Sequence, residues 1–275
     1  MAHQPHFSII VPALNEAKYL PHLLDDLYSQ TFQDFEVIIV DGKSTDQTVT
    51  RARAYAKLLP SLKIITSPKR HVCTQRNLGA KHAKANILIF SDADNRLPPY
   101  FLQGIKYRWE ALKVDLLSPF ITPDDNSTQN KTITSAINLF LDLQMNIKPH
   151  FLLEACFIVS KKCFVEIEGF NENINYGEGT VFMDKFISNN FQAKIIKDPA
   201  YTYSLRRIKK YGTAKIINNV VGLQLMDLFG LNQEKIKLDK LYPMLGGSVY
   251  NSKYNIKKNK VSKFLKNIAK ILQDF

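Results

Sequence analysis

Residues 87–94 read Ile-Leu-Ile-Phe-Ser-Asp-Ala-Asp, a short apolar run followed directly by two carboxylates. An uncharged apolar run of this length is typical of a strand buried on both faces of a parallel sheet. Such a strand carries the residues that follow it to the carboxyl edge of the sheet, where open α/β folds bind their ligands. We therefore expect Asp92 and Asp94 to lie at a ligand site.

The first half of the chain repeats this unit of apolar run and amphipathic segment. Five apolar runs are predicted strands, at residues 7–11, 35–40, 62–65, 87–90 and 114–117. Four segments between them have helical periodicity, at residues 17–30, 46–57, 72–85 and 98–112. Because strands that alternate with helices form βαβ units, we predict an α/β fold with a mostly parallel central sheet flanked by helices.

The second half has a less regular pattern. Its predicted elements are a polar loop at 122–130, helices at 132–147, 180–190 and 208–229, and strands at 155–160 and 193–196. We therefore divide the chain into an α/β domain at residues 1–205 and a helical C-terminal extension at 206–275.

The net charge of +12 indicates an anionic partner such as a phosphorylated substrate or an acidic lipid. Residues 251–275 contain seven lysines and one acidic residue, so this tail carries half of the net charge. Lysines opposite an apolar stripe are typical of a helix that lies in an anionic membrane interface. A tail helix that packs on the domain with its lysines in water is the equal alternative. We expect no nucleic-acid partner, because the tail lacks interleaved aromatic residues suited to base stacking.

Cysteine usage and hydropathy indicate the compartment. The odd number of cysteines, Cys73, Cys156 and Cys163, does not fit a disulfide framework, and their spacing is not that of metal ligands. No uncharged apolar stretch approaches the roughly 20 residues that span a bilayer, and residues 1–6 lack the pattern of a signal peptide. We expect a cytoplasmic protein, with peripheral attachment to the inner face of the membrane as a further option.

Polar motifs also follow the other predicted strands. They are Pro-Ala-Leu-Asn-Glu at 12–16, Asp-Gly-Lys-Ser-Thr-Asp at 41–46, Lys-Arg at 69–70 and Gln-Arg-Asn-Leu-Gly-Ala at 75–80. Each motif alone fits an ordinary turn or a solvated basic face. Their convergence at one sheet edge, together with Asp92 and Asp94, favours a ligand site. Mg²⁺ and Mn²⁺ bind carboxylate and phosphate oxygens, and guanidinium groups match phosphate geometry, so a metal-bound phosphorylated ligand is predicted.

In this order and spacing the motifs resemble those of the inverting glycosyltransferases of family 2, which have the GT-A fold. The resemblance extends over residues 7–205. It implies a nucleotide-diphosphate sugar donor bound by residues 7–118 and a hydroxyl acceptor bound by residues 119–205. It also implies Mg²⁺ or Mn²⁺ as cofactor. Many members of the family act on lipid-linked or membrane-associated acceptors, which fits a cell-envelope glycan.

The resemblance assigns roles to individual residues. Asp41 would hydrogen-bond the base, Asp92 would lie near the ribose or the donor sugar, and Asp94 would coordinate the cation. Asp92 and Asp94 are both candidate metal ligands. Arg70 or Arg76 would assist at the diphosphate, although Arg76 equally suits the packing of its helix onto the sheet edge. The full set of donor-binding candidates is Pro12, Leu14, Asn15, Glu16, Asp41, Ser44, Arg70, Arg76 and Asp92.

An inverting transfer also needs a general base for the acceptor hydroxyl. In the family this is an acid of a Glu-Asp motif that follows a Gly-Phe-Asp/Asn-Glu segment. Residues 169–172 read Gly-Phe-Asn-Glu, and Glu178 matches the first acid of the motif, but Gly179 stands where the family commonly has aspartate. Glu178 is therefore the candidate catalytic residue beside Asp94, and Asp184 is a weaker candidate.

Two other functions stay open at this point. The glycine at position 179 fits a catalytically silent protein that binds nucleotide sugars or acts as a scaffold. A nucleotidyltransferase has a similar sheet and acidic metal site. That class usually carries a glycine-rich basic loop after the first strand, and residues 12–16 do not form one.

Overall fold

The computed structural model describes residues 3–174 and 177–206. The predicted extension at 206–275 lies outside the described residues from position 207 onward. This includes the helix expected at 208–229 and the lysine-rich tail. The fold described here is therefore that of the predicted α/β domain.

The described residues contain one seven-stranded sheet. Its strands are β1 (Phe7–Ala13), β2 (Phe35–Asp41), β3 (Leu62–Thr66), β4 (Ile87–Ser91), β5 (Leu116–Pro123), β6 (Cys156–Ser160) and β7 (Ala193–Tyr203). They are arranged in the order β3-β2-β1-β4-β6-β5-β7. All neighbours pair in parallel except β6, which is antiparallel to both β4 and β5. The prediction of a mostly parallel sheet is confirmed.

Helices connect these strands. They are α1 (Leu20–Tyr28), α2 (Thr48–Arg53) with a following 3₁₀ turn (Ala54–Lys57), α3 (Val72–His82), α4 (Phe101–Leu112), α5 (Thr128–Ile147), α6 (Lys161–Glu166) and α7 (Glu178–Ser188). The loop between β5 and α5 is shorter than predicted, because Ser127 Oγ caps α5 by accepting a hydrogen bond from the Asn130 amide. Within the described residues, no helix combines the length and the apolarity that crossing a membrane requires.

The central strands are buried on both faces, as their uncharged sequences predict. In β1, Ile9 and Val11 belong to the apolar cluster that includes α1 and α4, whereas Ile10 belongs to the cluster that includes α3, α6 and α7. Alternate residues of a strand point to opposite faces, so each strand joins two helical layers. The carboxyl ends of β1, β2 and β4 are thereby fixed side by side at one edge of the sheet.

Helix α3 lies unusually close to the sheet because it has a glycine at the contact. A Cβ atom on Gly79 would be 2.3 Å from Ile10 Cγ2 and 3.2 Å from Val40 Cγ2. A helix that follows a strand in a βαβ unit begins at the carboxyl edge of the sheet. The close contact therefore packs α3 against β1 and β2, while the first turns of the helix lie near the carboxyl ends of these strands.

We expect Gly79→Ala to destabilise the protein. Overpacking of a well-packed contact costs about 1–3 kcal/mol, and the better helix propensity of alanine returns only about 1 kcal/mol. The measurement is the free energy of unfolding in urea. Lys81→Ala, an exposed position on the same helix, is the control and should change that free energy by less than about 0.5 kcal/mol. A Gly79→Ala protein as stable as the wild type would contradict the close packing of α3.

Candidate active site

The turns that follow β1 and β2 are joined by hydrogen bonds. Asn15 adopts a left-handed backbone conformation with φ of 56°. Its amide donates to Ser44 Oγ at 2.8 Å, and its side-chain Oδ1 accepts from the Thr45 amide at 2.7 Å. Two of the predicted donor-binding residues, Asn15 and Ser44, are thus in direct contact.

Gln75 of α3 joins the ends of the same two strands, β1 and β2, by hydrogen bonds. Its Nε2 donates to the carbonyl oxygens of Ala13 at 3.0 Å and Val40 at 2.6 Å. A Cβ atom on Gly42 would be only 3.2 Å from this nitrogen. Gly42 therefore lets the turn after β2 approach the amide of Gln75, and the two turns form one rigid surface.

Asp41 lies at the end of β2 and is 4% exposed. Its Oδ2 accepts hydrogen bonds from the amides of Lys43 and Ser44, both at 3.1 Å. A carboxylate has about four acceptor positions, so these bonds leave acceptor capacity for a ligand. Arg70 is exposed and donates from Nη2 to the Lys43 carbonyl at 3.0 Å, which brings its guanidinium to the same turn.

The remaining donor-binding candidates flank this surface. Pro12 is buried within β1, and Leu14 is half-buried in the turn that follows. Glu16 is 8% exposed, and its amide donates to Thr48 Oγ1 at 2.8 Å. The residues predicted from the first two motifs therefore all lie at the ends of β1 and β2 or in the turns that follow these strands, at one edge of the sheet.

The acidic loop after β4 is fixed at several points. The Asp92 amide donates to the Ala155 carbonyl at 2.8 Å, and Asn95 Nδ2 donates to the same carbonyl at 2.5 Å. Arg96 then pairs with Asp26 through two bonds of 2.6 and 2.7 Å. These contacts hold the backbone of residues 92–96 in place, so the carboxylates of the loop are presented in a defined position.

Asp92 and Asp94 suit a divalent cation that shares its coordination with a substrate. The side chain of Asp92 is 38% exposed, and Asp94 is half-buried. No group of three or more histidine, cysteine, aspartate or glutamate residues able to hold a metal occurs among the described residues. Mg²⁺ is commonly held by one or two carboxylates plus substrate phosphates and water. The donor set present here therefore fits Mg²⁺ or Mn²⁺ bound together with a diphosphate.

Arg76 lies behind the acidic loop and is 3% exposed. Its Nη2 donates to Asp92 Oδ1 at 3.2 Å and to the Glu154 carbonyl at 3.1 Å, and its Cζ is 5.2 Å from the centre of the Phe170 ring. Burial acts to lower the pKa of this guanidinium, but the charges of Asp92, Glu154 and Glu178 outweigh it and raise the pKa. Arg76 therefore orients Asp92 while it packs α3 against the sheet edge.

Two glutamates face Arg76 from the other side. Glu154 lies two residues before the start of β6 and is half-buried, whereas Glu178 is the first residue of α7. Burial and, second, the negative charge of Glu178 raise the pKa of Glu154 to about 8, although the charge of Arg76 acts against both. The site thus contains a second pair of carboxylates beside Asp92 and Asp94.

Glu154 is the residue that the sequence interpretation missed. It lies in a segment between α5 and β6 that carries no periodic pattern and no motif. The one feature of the sequence that hinted at a further acidic residue was the glycine at 179, where the family commonly has an acid. Asp184, the weaker candidate, is exposed, and its Oδ1 is 2.6 Å from His150 Nδ1. The structure therefore brings Glu178, but not Asp184, next to Arg76.

Hydrogen bonds attach the Gly-Phe-Asn-Glu segment at 169–172 to α3. Asn77 Nδ2 donates to the Phe170 carbonyl at 2.9 Å, and Asn77 Oδ1 accepts from the Phe170 amide at 3.0 Å. Glu172 accepts from Thr74 Oγ1 at 2.7 Å and from Asn77 Nδ2 at 3.0 Å. Through these hydrogen bonds the predicted acceptor half, residues 119–205, is attached to α3 of the predicted donor half, residues 7–118.

The raised pKa of Glu154 predicts a pH dependence of stability. The unfolded value is 4.5 and the folded value is about 8, so the folded state retains a proton that the unfolded state releases. The stability is fully present below about pH 4.5 and is lost as the pH rises through about 8. We expect the free energy of unfolding in EDTA to fall more steeply over this range in the wild type than in Glu154→Gln. Parallel pH profiles of the two proteins would contradict the raised pKa.

The sequence model described as Glycosyl transferase family 2 matches residues 8–167. The match includes the turns after β1 and β2, the first turns of α3, the acidic loop and Glu154. The chain belongs to glycosyl transferase family 2. The residues predicted from the sequence to bind the donor all lie within the matched range.

Known proteins resemble this member of family 2 along most of its length. The minor teichoic acid biosynthesis protein GgaB of Bacillus subtilis is 23% identical over 97% of this chain and 32% of that protein. The structure of Staphylococcus aureus TarS 1–349 in complex with UDP-GlcNAc has a TM-score of 0.57 at 24% identity, covering 72% of this chain and 58% of that one.

A second solved structure is similar as well. The mannosyltransferase PcManGT from Pyrobaculum calidifontis, in complex with GDP-Man and Mn²⁺, has a TM-score of 0.62 at 20% identity. It matches 74% of this chain and 58% of its own. These likenesses show the fold, which is the predicted GT-A fold. The chain spans about a third of the length of the curated relatives it matches.

Proposed function

We propose that this chain is an inverting glycosyltransferase that moves a sugar from a nucleotide-diphosphate sugar to a hydroxyl group of a cell-envelope glycan. Its membership of family 2 supports the reaction class. The observation that carries the proposal is the meeting of two carboxylate pairs at one sheet edge. Asp92 and Asp94 form one pair, Glu154 and Glu178 form the other, and Arg76 lies between them.

The donor would be held by the turns after β1 and β2. Asp41 retains acceptor capacity for the base, and Asn15 and Ser44 supply polar atoms for the ribose. Asp92 and Asp94 would hold Mg²⁺ or Mn²⁺ together with the diphosphate. A bound cation of this kind neutralises the charge that develops on the leaving nucleoside diphosphate. Arg70, exposed at the same edge, adds positive charge near the phosphates.

The acceptor would approach from the side of the glutamate pair. A carboxylate of this pair accepts the proton of the acceptor hydroxyl as the hydroxyl oxygen bonds to the anomeric carbon. The bond from that carbon to the diphosphate oxygen breaks on the opposite face, so the configuration inverts. Inversion in one displacement needs a single base near the acceptor, and the glutamate pair is the group of carboxylates available there.

The class of acceptor is proposed from the named relatives and from charge. GgaB is named for minor teichoic acid biosynthesis, and TarS is named a poly(ribitol-phosphate) β-N-acetylglucosaminyltransferase. Both names point to anionic envelope polymers, which match the net charge of +12. We further propose that the chain acts in the cytoplasm, with the lysine-rich tail at 251–275 attached to the anionic inner face of the membrane.

The decisive experiment is a donor panel. The full chain is incubated with UDP- and GDP-linked sugars, Mn²⁺ and a polyol-phosphate acceptor, and release of the nucleoside diphosphate is measured with an EDTA control. We expect release that depends on one donor and on Mn²⁺, with an inverted anomeric configuration in the product. Binding without release for every acceptor would favour the silent nucleotide-sugar-binding protein. Failure of every nucleotide to bind would contradict both functions.

A further inference from the structure

Gly179 lies buried in the first turn of α7, and neighbouring atoms occupy the space that a side chain would need at this position. A Cβ atom at this position would be 2.3 Å from Glu154 Oε1 and 2.7 Å from Glu154 Cδ. It would also be 2.5 Å from the Leu152 carbonyl oxygen. Real Cβ atoms do not approach other atoms this closely, so the space that a side chain at 179 needs is already filled by the carboxylate of Glu154.

This carboxylate is buried, and charged groups from three other parts of the chain act on it. Glu178 faces it from α7, Arg76 and Cys73 face it from α3, and Asp92 faces it from the acidic loop. The backbone of its own segment is held there too, because the carbonyl of Glu154 accepts a hydrogen bond from Arg76 at 3.1 Å. Glu154 as a whole residue is half-buried.

We propose that Glu154 supplies the carboxylate that position 179 lacks and that it is the general base of the transfer reaction. This inference rests on the proposed glycosyltransferase function and names the base within it. The proton of the acceptor O–H goes to the carboxylate of Glu154, and the freed oxygen electron pair forms the bond to the anomeric carbon. The electron pair of the broken sugar–phosphate bond leaves with the nucleoside diphosphate. Glu178 then acts on Glu154 through its charge.

Two further observations support this assignment. A general base is most effective when its pKa lies near the working pH, and burial together with the charge of Glu178 raises the pKa of Glu154 to about 8. A base supplied from residue 154 would also account for a glycine at position 179 in an active member of the family. The carboxylate of Glu154 comes from the segment before β6 and lies 2.3 Å from the place that a Cβ atom of residue 179 would take.

The test compares Glu154→Gln with Glu178→Gln in the full chain, using the donor and acceptor that the wild type accepts. We expect Glu154→Gln to lower kcat by about 10²–10⁴-fold and to leave the Kd of the nucleoside diphosphate unchanged. Glu178→Gln should lower kcat by only about tenfold and shift the acidic limb of the pH profile of kcat, where activity rises as the base loses its proton, to lower pH. That limb should be absent in Glu154→Gln. A kcat within threefold of wild type in Glu154→Gln, or a larger loss in Glu178→Gln, would overturn the proposal.

Two controls separate this proposal from other failures. If circular dichroism shows that Glu154→Gln is unfolded, the test uses Glu154→Ala with added sodium formate instead. Formate can replace the missing carboxylate as the base. Formate should raise kcat of Glu154→Ala about tenfold and leave Glu178→Ala unchanged; the reverse result would overturn the assignment. A wild type that releases no nucleoside diphosphate from any donor contradicts the glycosyltransferase function itself, which is a different outcome from an active wild type with an active Glu154→Gln.

Discussion

Replacing Asp94 by asparagine is expected to lower the rate of sugar transfer by about 10³-fold, because it removes charge from the group that holds the cation against the developing diphosphate. The amide keeps the size of the side chain, and Asp94 is only half-buried. The fold should therefore remain intact, with a change in unfolding free energy below about 0.5 kcal/mol. The measurements are kcat with saturating donor and the Kd of the nucleoside diphosphate, each with Mn²⁺ and with EDTA.

The effect should be specific to the cation. We expect Asp94→Asn to weaken nucleotide binding in Mn²⁺ and to leave binding in EDTA as in the wild type. Asp34→Asn is the matched control, since the side chain of Asp34 is 39% exposed and lies before β2, at the opposite end of that strand from Asp41. An Asp94→Asn enzyme that retains kcat within threefold, or that loses nucleotide affinity equally in EDTA, would contradict a cation-binding role.

The parallel half of the sheet could be predicted because its strands are buried on both faces. The runs at 35–40 and 87–90 carry almost no charge, and each is followed by a segment with helical periodicity. Those two signals together imply a βαβ connection, and the connection fixes the strand direction. The observed strands β2 and β4 begin at the predicted residues and each extends one residue further.

Other elements depend on pairing that an apolar run does not encode. The run at 155–160 predicts a strand, but its antiparallel direction follows from its place between β4 and β5. Strand β7 extends to Tyr203, beyond the predicted end at residue 196, because it follows β5 across a bulge. Helix α6 has six residues, too few for a helical period to be recognised in the sequence.

The same distinction applies to the site. Asp41 and Asp92 could be predicted because each directly follows a buried strand, and topology alone brings such positions together. Glu154 could not, because its place depends on the path of the segment before β6 and on the space left by Gly179. A motif fixes positions along the chain, whereas a contact between residues 154 and 179 exists only after packing.

For Arg76, the sequence motif predicts a place near the site, but the residues that it contacts are determined by packing. We expect Arg76→Met to lower the free energy of unfolding by about 3–5 kcal/mol, the usual result of removing one partner from a buried ion pair. The change leaves Asp92, Glu154 and Glu178 close together without the guanidinium that raises the stability of their charged forms. The measurement is urea unfolding near neutral pH, and nucleotide affinity should fall in parallel because Asp92 loses its hydrogen bond.

A double variant distinguishes electrostatics from packing as the cause of that loss. If like-charge repulsion dominates, adding Glu154→Gln to Arg76→Met should restore about 1–2 kcal/mol, a coupling typical of residues in one network. If the stacking of Arg76 on Phe170 dominates instead, Glu154→Gln should restore nothing. Arg51→Met, an exposed arginine that also donates to one backbone carbonyl, should change stability by less than about 1 kcal/mol. An Arg76→Met protein as stable as this control would show that the buried cation is not needed to hold the carboxylates together.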